Sequence, residues 1–257
     1  FCLLKGGARP QNFYSRGRSM KYRGRQLRHE LKYIITYPQY YELLGRLKPF
    51  MQKDGNLPEG YLVRSLYFDD MYNTAYYQKE AGDFRRCKYR IRIYNNCRDG
   101  IIKLEKKSKI SEYIAKTDEN ITPDEFYALL DGRPQFLLEG TPVMQDWYAA
   151  MRTKLLSPAV VVDYIRDAYI CHEGNVRITF DKELRAGLEF DILNPALVTV
   201  PAMSGGVLVM EVKFDDFLPR HIKTLIQPAA SAHMAVSKYI LCRKAKDLYL
   251  SLIHISE

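Results

Sequence analysis

The chain has 257 residues, 47% of them hydrophobic, and a formal net charge of +9. This length suits one large domain or at most two, and the hydrophobic content supports a sizeable core. No apolar run approaches the roughly 20 residues of a membrane-spanning helix, and the five cysteines form no CxxC pair that would indicate a zinc site or a disulfide framework. The positive charge favours an anionic partner: a nucleotide, polyphosphate, nucleic acid or an acidic membrane.

Both ends of the chain differ from the region between them. Residues 1–19 and 251–257 show no periodicity, and we interpret both as non-native or disordered additions. Met20 comes just before the first strand pattern, which leaves residues 20–250 as a single domain. Because neither a secretion signal nor a disulfide framework is indicated, we expect a soluble protein of a reducing cytoplasm.

Strand and helix patterns follow one another along this domain and predict an α+β fold. We predict strands at 28–36, 63–68, 86–94, 101–109, 114–121, 159–168, 176–181, 184–190 and 206–214, and helices at 37–51, 123–132, 145–156 and 229–248. The strands at 86–94 and 101–109 are predicted to pair as a hairpin around the turn-rich residues 95–100. The clearest helix start has Thr122 as N-cap, Pro123 in the first turn and Glu125 closing a capping box.

Charged residues occupy every second position in five of these strands, with apolar residues between them. In one strand, for example, Lys88, Arg90 and Arg92 alternate with Tyr89 and Ile91. Because the strand period is two, each such strand has one charged face and one apolar face. An antiparallel sheet with one face in water has this pattern, and so does a sheet closed into a barrel with the charged face inside. The abundance of Arg and Lys, and the helices that need an apolar surface to cover, favour the barrel.

The row of Lys88, Arg90 and Arg92 has two interpretations. Neighbours on one strand face lie roughly 6.5–7 Å apart, a spacing that lets adjacent guanidinium groups grip neighbouring phosphates. At about 7 Å and an effective dielectric constant near 20, each like-charge pair costs roughly 2 kcal/mol. Water and salt remove most of this cost on an exposed face. The row is therefore either exposed and without a specific role, or enclosed and functional.

Eight short segments occur in order over residues 28–239. They are RHELKY (28–33), SLYFD (65–69), YRIRIY (89–94), LEKK (104–107), DYIRDAY (163–169), VRITFD (176–181), MEVKF (210–214) and SKY (237–239). Together they resemble the signature segments of the VTC (vacuolar transporter chaperone) polyphosphate polymerase domain, a branch of the triphosphate tunnel metalloenzymes with a CYTH-like fold. Any one segment is a weak signal, and their shared order makes the resemblance specific.

The resemblance implies an antiparallel β-barrel tunnel of about eight strands with helices packed outside. It implies an ATP-dependent polyphosphate polymerase that transfers the γ-phosphoryl group to a growing chain, with a divalent metal, Mn²⁺ or Mg²⁺. The implied partners are ATP and polyphosphate or pyrophosphate, and no nucleic acid is expected. Phosphoryl transfer by positioning and charge neutralisation needs no nucleophilic Ser, Cys or His, which suits a chain whose five histidines form no catalytic pattern.

The resemblance also implies roles for particular residues. The implied phosphate-binding side chains are Lys32, Arg90, Arg92, Lys107, Lys116, Arg166, Arg177, Lys213 and Lys238, with hydroxyl contacts from Tyr164 and Ser237. Glu211 is the implied metal ligand, and Glu30 and Glu105 are weaker candidates. Two of these roles have a structural alternative. For Glu211 the alternative is a salt bridge with Lys213 or another cation, and for Lys238 it is a solvated position on a helix. For Asp69 and Asp70, a turn role is favoured over a ligand role.

The chain departs from the hydrolytic relatives in its first strand. Arg28 stands where hydrolytic tunnel enzymes usually carry another Glu, which argues against the triphosphatase and cyclase branches. The SPX domain and membrane helices of the eukaryotic complex have no counterpart in this sequence, so a stand-alone, bacterial-type protein is expected. Two rival functions stay open: hydrolysis of tripolyphosphate or a nucleoside triphosphate in the same tunnel, and binding of polyphosphate without turnover.

Overall fold

The computed structural model describes residues 21–22, 25–26, 28–54, 59–95, 100–110, 113–227 and 236–255. The predictions for residues 1–19, for most of the turn at 95–100 and for the first part of the helix at 229–248 lie largely outside these ranges. Among the described residues, none of the helices is both long and apolar enough to cross a bilayer.

The described chain forms twelve strands, six α-helices and two short 3-10 turns. The strands are β1 (Lys21–Tyr22), β2 (Arg25–Gln26), β3 (His29–Thr36), β4 (Gln52–Lys53), β5 (Tyr61–Asp69), β6 (Arg85–Tyr94), β7 (Ile102–Ile110), β8 (Tyr113–Ile121), β9 (Ser157–Cys171), β10 (Val176–Gly187), β11 (Thr199–Pro201) and β12 (Val207–Phe214). The helices are α1 (Tyr37–Leu47), α2 (Thr74–Glu80), α3 (Pro123–Leu130), α4 (Pro142–Thr153), α5 (Arg220–Ile226) and α6 (Lys238–Ile255).

Eight strands pair antiparallel in the order β3-β12-β10-β9-β5-β6-β7-β8, which confirms the predicted antiparallel sheet. The prediction of two strands at 176–181 and 184–190 was wrong, because one strand, β10, runs through both. The pairing of β10 with β9 shifts register between Lys182 and Arg185, and Glu183 has a positive φ of 52°. A bulge of this kind interrupts the alternation of faces, so the sequence pattern reads as two strands.

The sheet curls until side chains of β3 and β7 meet across its inner face. Lys107 of β7 donates to Glu30 of β3 across 3.2 Å, although these strands are far apart in the strand order. Within the described ranges, no backbone ladder joins β3 to β8. The predicted barrel is therefore a tunnel-like, strongly curved sheet that, within the described ranges, is not closed by main-chain hydrogen bonds between its end strands.

Two hydrophobic cores lie on the outer face of the sheet, as predicted for a sheet covered by helices. Residues such as Leu66 and Ile91 pack under α3 and α4 around the fully buried Trp147. Residues such as Ile178 and Met210 pack under α1 and α5. The apolar half of the alternating pattern thus faces outward into these cores, which leaves the charged half on the inner face.

Helix α6 differs from the other helices because it packs against the inner face. Tyr239 and Cys242 of α6 are buried against Val63 of β5 and against Val162 and Tyr164 of β9. The prediction of helices packed outside the sheet is confirmed by α1, α3, α4 and α5, and α6 adds a helix on the inner face. It also continues to Ile255, so most of the tail that we interpreted as an addition is helical.

Two helix starts follow from capping chemistry. Thr122 and Glu125 form the predicted capping box at α3, with Oε2 of Glu125 accepting from the Thr122 amide at 2.7 Å. The start of α2 was not predicted, because this short helix buries no residue and has no apolar periodicity. Oδ1 of Asp69 accepts from the amide of Ala75 at 2.9 Å, so the turn role that the sequence favoured for Asp69 is confirmed.

Gly60 and Gly82 offer a matched test of how closely β5 approaches β9. Both have positive φ, but a Cβ at Gly60 would lie 2.5 Å from the carbonyl oxygen of Arg166, whereas Gly82 has nothing within 4 Å. We expect Gly82→Ala to cost about 1 kcal/mol of folding free energy from its backbone conformation alone. Gly60→Ala should cost about 2 kcal/mol more because of overpacking. Urea denaturation measures both, and equal losses would contradict this close approach.

Candidate functional site

A cavity of about 340 Å³ opens on the inner face of the curved sheet. Its walls come from strands at both ends of the strand order and from the start of α6. Eleven basic side chains line it: Lys32, Lys79, Arg86, Lys88, Arg90, Arg92, Lys107, Lys109, Arg166, Lys213 and Lys238. Of the described residues, two carboxylates, Glu30 and Glu211, line it with them. The lining therefore carries a formal excess of nine positive charges, eleven basic groups less two acidic ones.

The cationic wall results from the period of two in paired strands. Lys88 of β6 lies opposite Lys107 of β7, and Arg90 lies opposite Glu105. In β12 and β3, Glu211 lies opposite Lys32. Since opposite residues in an antiparallel pair share a face, the charged positions that alternate in each strand come together on one wall.

Arg90 and Arg92 are held in fixed positions by neutral and acidic neighbours. Nε of Arg90 donates to Glu105 at 2.6 Å, and its Nη1 donates to the Tyr67 hydroxyl at 2.8 Å. Nε of Arg92 donates to Oγ of Ser65 at 2.9 Å. Burial raises the pKa of Glu105, but Arg90 and Arg92 outweigh it and lower that pKa to about 2. Both guanidinium groups are thus oriented before any ligand arrives, which lowers the entropic cost of binding a phosphate.

The two cavity carboxylates lie among lysines. Glu30 contacts Lys32 at 2.5 Å and Lys107 at 3.2 Å, and Glu211 contacts Lys213 at 3.3 Å. Burial raises the pKa of Glu211, but Lys213 and Lys32 outweigh it and hold that pKa well below its usual range. Burial raises the pKa of Glu30, but Lys107, Lys32 and Lys213 together outweigh it and lower that pKa. Both carboxylates are therefore ionised at neutral pH.

Asp181 fixes two further cations at the floor of the cavity. It is fully buried, accepts from Nε and Nη2 of Arg166 at 2.6 and 2.8 Å, and contacts Lys238 at 2.6 Å. Arg166 also lies 3.8 Å from Glu211. The alternative that Lys238 is a solvated helix residue is wrong, because the Asp181 contact ties the start of α6 to the floor of the cavity.

The start of α6 also contacts the row of basic residues on β6. Lys88 donates to Oγ of Ser237 at 3.3 Å, and its Nζ lies 4.5 Å from the centre of the Tyr239 ring. The Tyr239 ring in turn lies 5.2 Å from that of Tyr67, and its hydroxyl donates to Asp69 at 2.5 Å. This chain of contacts fixes the first residues of α6 against β5 and β6.

The positive charge of the cavity exceeds what its carboxylates neutralise. Burial lowers the pKa of Lys88 to well below its usual value, and Lys32, Lys107 and Arg86 lower it further. Burial likewise lowers the pKa of Lys107 to about 8, although Glu30 opposes this shift. An anion that enters beside Lys88 and Lys107 offsets the burial and repulsion that disfavour their protonated forms.

A comparison with known protein families decides the identity of this fold. The VTC domain model matches residues 27–246, a range that contains all ten strands of the main sheet, β3 to β12, and every described residue lining the cavity. The chain belongs to the VTC domain family. The resemblance inferred from the eight ordered segments is confirmed.

Solved structures similar to this VTC domain share little sequence with it. A protein of Pyrococcus horikoshii has a TM-score of 0.45 and 13% identity, and covers 90% of this chain and 99% of its own. A "putative adenylate cyclase" from Bacillus halodurans has a TM-score of 0.48 and 14% identity, over 82% of this chain and 94% of its own. A conserved hypothetical protein from Pyrococcus furiosus has a TM-score of 0.43 and 12% identity, over 83% of this chain and 99% of its own. No curated protein matches the chain.

The VTC domain brings most of the predicted site residues to one cavity. Those lining it are Lys32, Arg90, Arg92, Lys107, Tyr164, Arg166, Lys213, Ser237, Lys238, Glu30 and Glu211. They come from five strands and the start of one helix, which are distant in sequence. Their convergence is what the charged inner face predicted, and their individual roles in phosphate or metal binding stay predictions.

Three predicted site residues do not line the cavity. Arg177 contacts Asp54 at 2.6 Å and donates to the Tyr61 hydroxyl at 3.1 Å, away from the lining. Lys116 contacts Glu105 at 2.7 Å, and Glu105 itself is fully buried between Lys116 and Arg90. Glu105 therefore orients cations, and a direct contact with a metal is not what this geometry supports.

Sequence reasoning missed several residues that line the cavity. They are Tyr67, Lys79, Arg86, Lys109 and Tyr239. Arg86 belongs to the same alternating row as Lys88 and Arg90, so the period of two could have found it. Lys79 lies on the unpredicted helix α2 and gave no pattern by which to find it.

The residues of the VTC domain fit a divalent cation bound partly by its ligand. Among the described residues, no group of three or more His, Cys, Asp or Glu side chains could form a metal cage on its own. Glu211 and Glu30 supply two ionised carboxylates beside the cationic wall. Mg²⁺ commonly binds through one or two carboxylates plus substrate phosphates, so this donor set suits a cation that enters with a polyphosphate.

Proposed function

We propose that this VTC domain is an ATP-dependent polyphosphate polymerase, which transfers the γ-phosphoryl group of ATP to a polyphosphate chain. The observation that carries the proposal is the composition of the cavity, which is lined by eleven basic side chains and two carboxylates. Such an excess of buried positive charge is costly unless a polyanion neutralises it. Membership of the VTC domain family supports the same ligand class.

The mechanism requires positioning and charge neutralisation. Arg90 and Arg92, already oriented by Glu105, Tyr67 and Ser65, would bind the oxygens of the transferred group. Cations elsewhere on the wall would hold the acceptor chain with its terminal oxygen in line with the γ-phosphorus. A divalent cation on Glu211 and Glu30 would neutralise further phosphate charge. The phosphorus–oxygen bond to the β-phosphate breaks, the bond to the acceptor oxygen forms, and ADP leaves.

The state of the carboxylates favours transfer to phosphate over transfer to water. Hydrolysis benefits from a general base that removes a proton from water, and a base is weak when its pKa lies far below the operating pH. Glu211 and Glu30 both have lowered pKa values and contact lysines. The terminal phosphate of an acceptor chain is already anionic and needs no such base.

One assay separates the proposed function from its two rivals. The protein is incubated with ATP, Mn²⁺ and a pyrophosphate primer, and ADP, free phosphate and long-chain polymer are measured. ADP together with polymer supports the polymerase. Free phosphate without polymer supports a hydrolase, whereas tight tripolyphosphate binding without turnover supports a binding module. If neither ATP nor tripolyphosphate binds, the proposal of a polyanion site is wrong.

Tripolyphosphate should stabilise the protein most at lower pH. At a free tripolyphosphate concentration of about 100 times Kd, the free energy of unfolding should rise by roughly 2.7 kcal/mol. Because the pKa of Lys88 is lowered in the folded protein, this side chain binds more protons in the unfolded chain, and its contribution to the stability of the ligand-free protein rises with pH up to about 10.4. The ligand favours protonated Lys88, so its stabilising effect should be larger at pH 7.5 than at pH 9.5.

Urea denaturation with and without tripolyphosphate at these two pH values measures this effect. Groups remote from the cavity contribute equally to the free energy of unfolding with and without ligand, so their contribution cancels when the two ligand-induced shifts are compared. The buried thiol of Cys242, whose pKa is raised by burial, is one such group. Lys88→Met should reduce the difference between the two shifts, and the part that stays is assigned to Lys107, whose pKa of about 8 lies between the two pH values. A ligand effect that is equal at both pH values in the wild type would contradict the view that Lys88 faces the ligand.

A further inference from the structure

Tyr67 lies on the inner face of β5, where it lines the cavity with 9% of its surface exposed. Its ring lies 5.2 Å from the ring of Tyr239, and the guanidinium group of Arg90 lies 5.6 Å from its centre. In the sheet, Tyr67 is directly opposite Arg90 of β6. These contacts hold the Tyr67 hydroxyl beside the basic residues that the proposed mechanism assigns to phosphate.

The Tyr67 hydroxyl accepts a hydrogen bond, but its own proton has no acceptor among the described residues. It accepts from Nη1 of Arg90 at 2.8 Å, and this is its only hydrogen bond to the described chain. A phenolic hydroxyl can also donate one hydrogen bond, and a group that donates to its oxygen does not accept that proton. Tyr239, the neighbouring tyrosine of the lining, differs because its hydroxyl donates to Asp69. The proton of Tyr67 is therefore available to a ligand.

The charged groups with the largest effect on this hydroxyl are cations, which cannot accept its proton. Burial raises the pKa of Tyr67, but Arg90, Arg92 and Lys107 outweigh it and lower that pKa. Lys32 also interacts electrostatically with the same side chain. Arg and Lys side chains only donate hydrogen bonds. An anionic oxygen that enters among these cations supplies the acceptor that the Tyr67 proton lacks, and a buried donor gains free energy when it is satisfied.

We propose that Tyr67 is a direct phosphate ligand, whose hydroxyl donates to an oxygen of the phosphate group that Arg90 binds. This inference rests on the proposed function, and it adds a neutral donor to a wall of mostly cationic ones. The structural alternative is that Tyr67 only orients Arg90. That role uses a lone pair of the hydroxyl oxygen and leaves the proton without a partner, whereas phosphate binding uses both.

Tyr67→Phe tests the inference, because it removes the hydroxyl and keeps the ring. We expect the Kd for inorganic tripolyphosphate, measured by calorimetry, to rise about 10- to 100-fold, a typical loss for a hydrogen bond to a charged group. Tyr61→Phe is the matched control, because Tyr61 lies on the same strand and its hydroxyl also accepts from an arginine, Arg177, but it does not line the cavity. This control should bind tripolyphosphate as the wild type does. An unchanged Kd in Tyr67→Phe, or an equal loss in Tyr61→Phe, overturns the inference.

An Arg90→Ala background separates donation to phosphate from the orientation of Arg90. In this background there is no guanidinium group to orient, so a purely orienting hydroxyl would have no further effect. The other ten basic side chains of the lining, eleven less Arg90, keep tripolyphosphate binding measurable. We expect the added Tyr67→Phe to weaken that binding by about tenfold here too. If the loss disappears, Tyr67 only orients Arg90 and the inference is wrong.

The same titrations distinguish failure of this inference from failure of the proposed function. If the wild type binds no tripolyphosphate, both the polyphosphate site and this inference are wrong. Tripolyphosphate binding that depends on the Tyr67 hydroxyl, without polymer synthesis from ATP, supports the inference and contradicts only the polymerase. Polymer synthesis with no effect of Tyr67→Phe in either background overturns only the role of Tyr67.

Discussion

Arg92→Ala is expected to lower kcat/KM for polyphosphate synthesis by at least about 100-fold, the effect of removing one preorganised donor from a transition-state site. Arg92 is buried at the inner end of the basic row, and Ser65 already orients its guanidinium group. The register of β6 with β5 and β7 fixes the position of Arg92 on the wall. ADP release and polymer formation measure the loss.

The fold should survive this substitution, since it removes a positive charge from a cavity that carries an excess of them. The urea midpoint of Arg92→Ala should therefore equal or exceed that of the wild type. Arg85→Ala is the matched control on the same strand, because Arg85 is exposed and does not line the cavity. Wild-type turnover by Arg92→Ala, or an equal loss in Arg85→Ala, would show that the row does not bind the transferred group.

Glu211→Gln is expected to have two separable effects. It should lower metal-dependent turnover by about 100- to 1,000-fold, if Glu211 holds the divalent cation. It should also destabilise the ligand-free protein by about 3 kcal/mol, because it leaves buried cations without their counter-charge. The Glu211 carboxylate lies 3.3 Å from Lys213, 3.8 Å from Arg166 and 3.9 Å from Lys32, and a neutral amide would weaken all three ion pairs.

Asp181→Asn separates the two effects. Asp181 is also a buried carboxylate that pairs with cavity cations, Arg166 and Lys238, but it does not line the cavity. We expect a similar loss of stability with the Mn²⁺ dependence of turnover retained. Tripolyphosphate should restore stability to both variants, because it supplies negative charge to the same cations. If Glu211→Gln keeps its Mn²⁺ affinity, measured by calorimetry in the presence of tripolyphosphate, Glu211 is a salt-bridge residue and not a metal ligand.

Local sequence patterns predicted the strands and the direction of their charged faces. Lys88, Arg90 and Arg92 alternate with residues such as Ile91, and that alternation is a property of each strand by itself. The capping box of α3 was likewise readable from Thr122 and its neighbours, because all the atoms involved lie within one helical turn. Helix α2 was missed because its start is capped by Asp69 and it buries nothing.

The sequence alone also suggested the wrong surroundings for some site residues. Arg177 shares the charged face of β10 with Thr179, yet it pairs with Asp54 and Tyr61 outside the cavity lining. Glu105 looked like a metal candidate, but its neighbours Arg90 and Lys116 occupy its oxygens. Which partner a charged side chain meets depends on segments far away in sequence, and a local pattern contains no information about them.

The sequence by itself determined that the strands have one charged and one apolar face, and that the charged face is rich in Arg and Lys. Only the tertiary structure decided that this face is enclosed. The enclosure depends on Lys107 of β7 meeting Glu30 of β3 and on α6 packing against the inner wall, contacts between segments separated by most of the chain. The physical reason is that alternation is fixed by the geometry of a single strand, whereas curvature and helix placement result from the packing of the whole sheet.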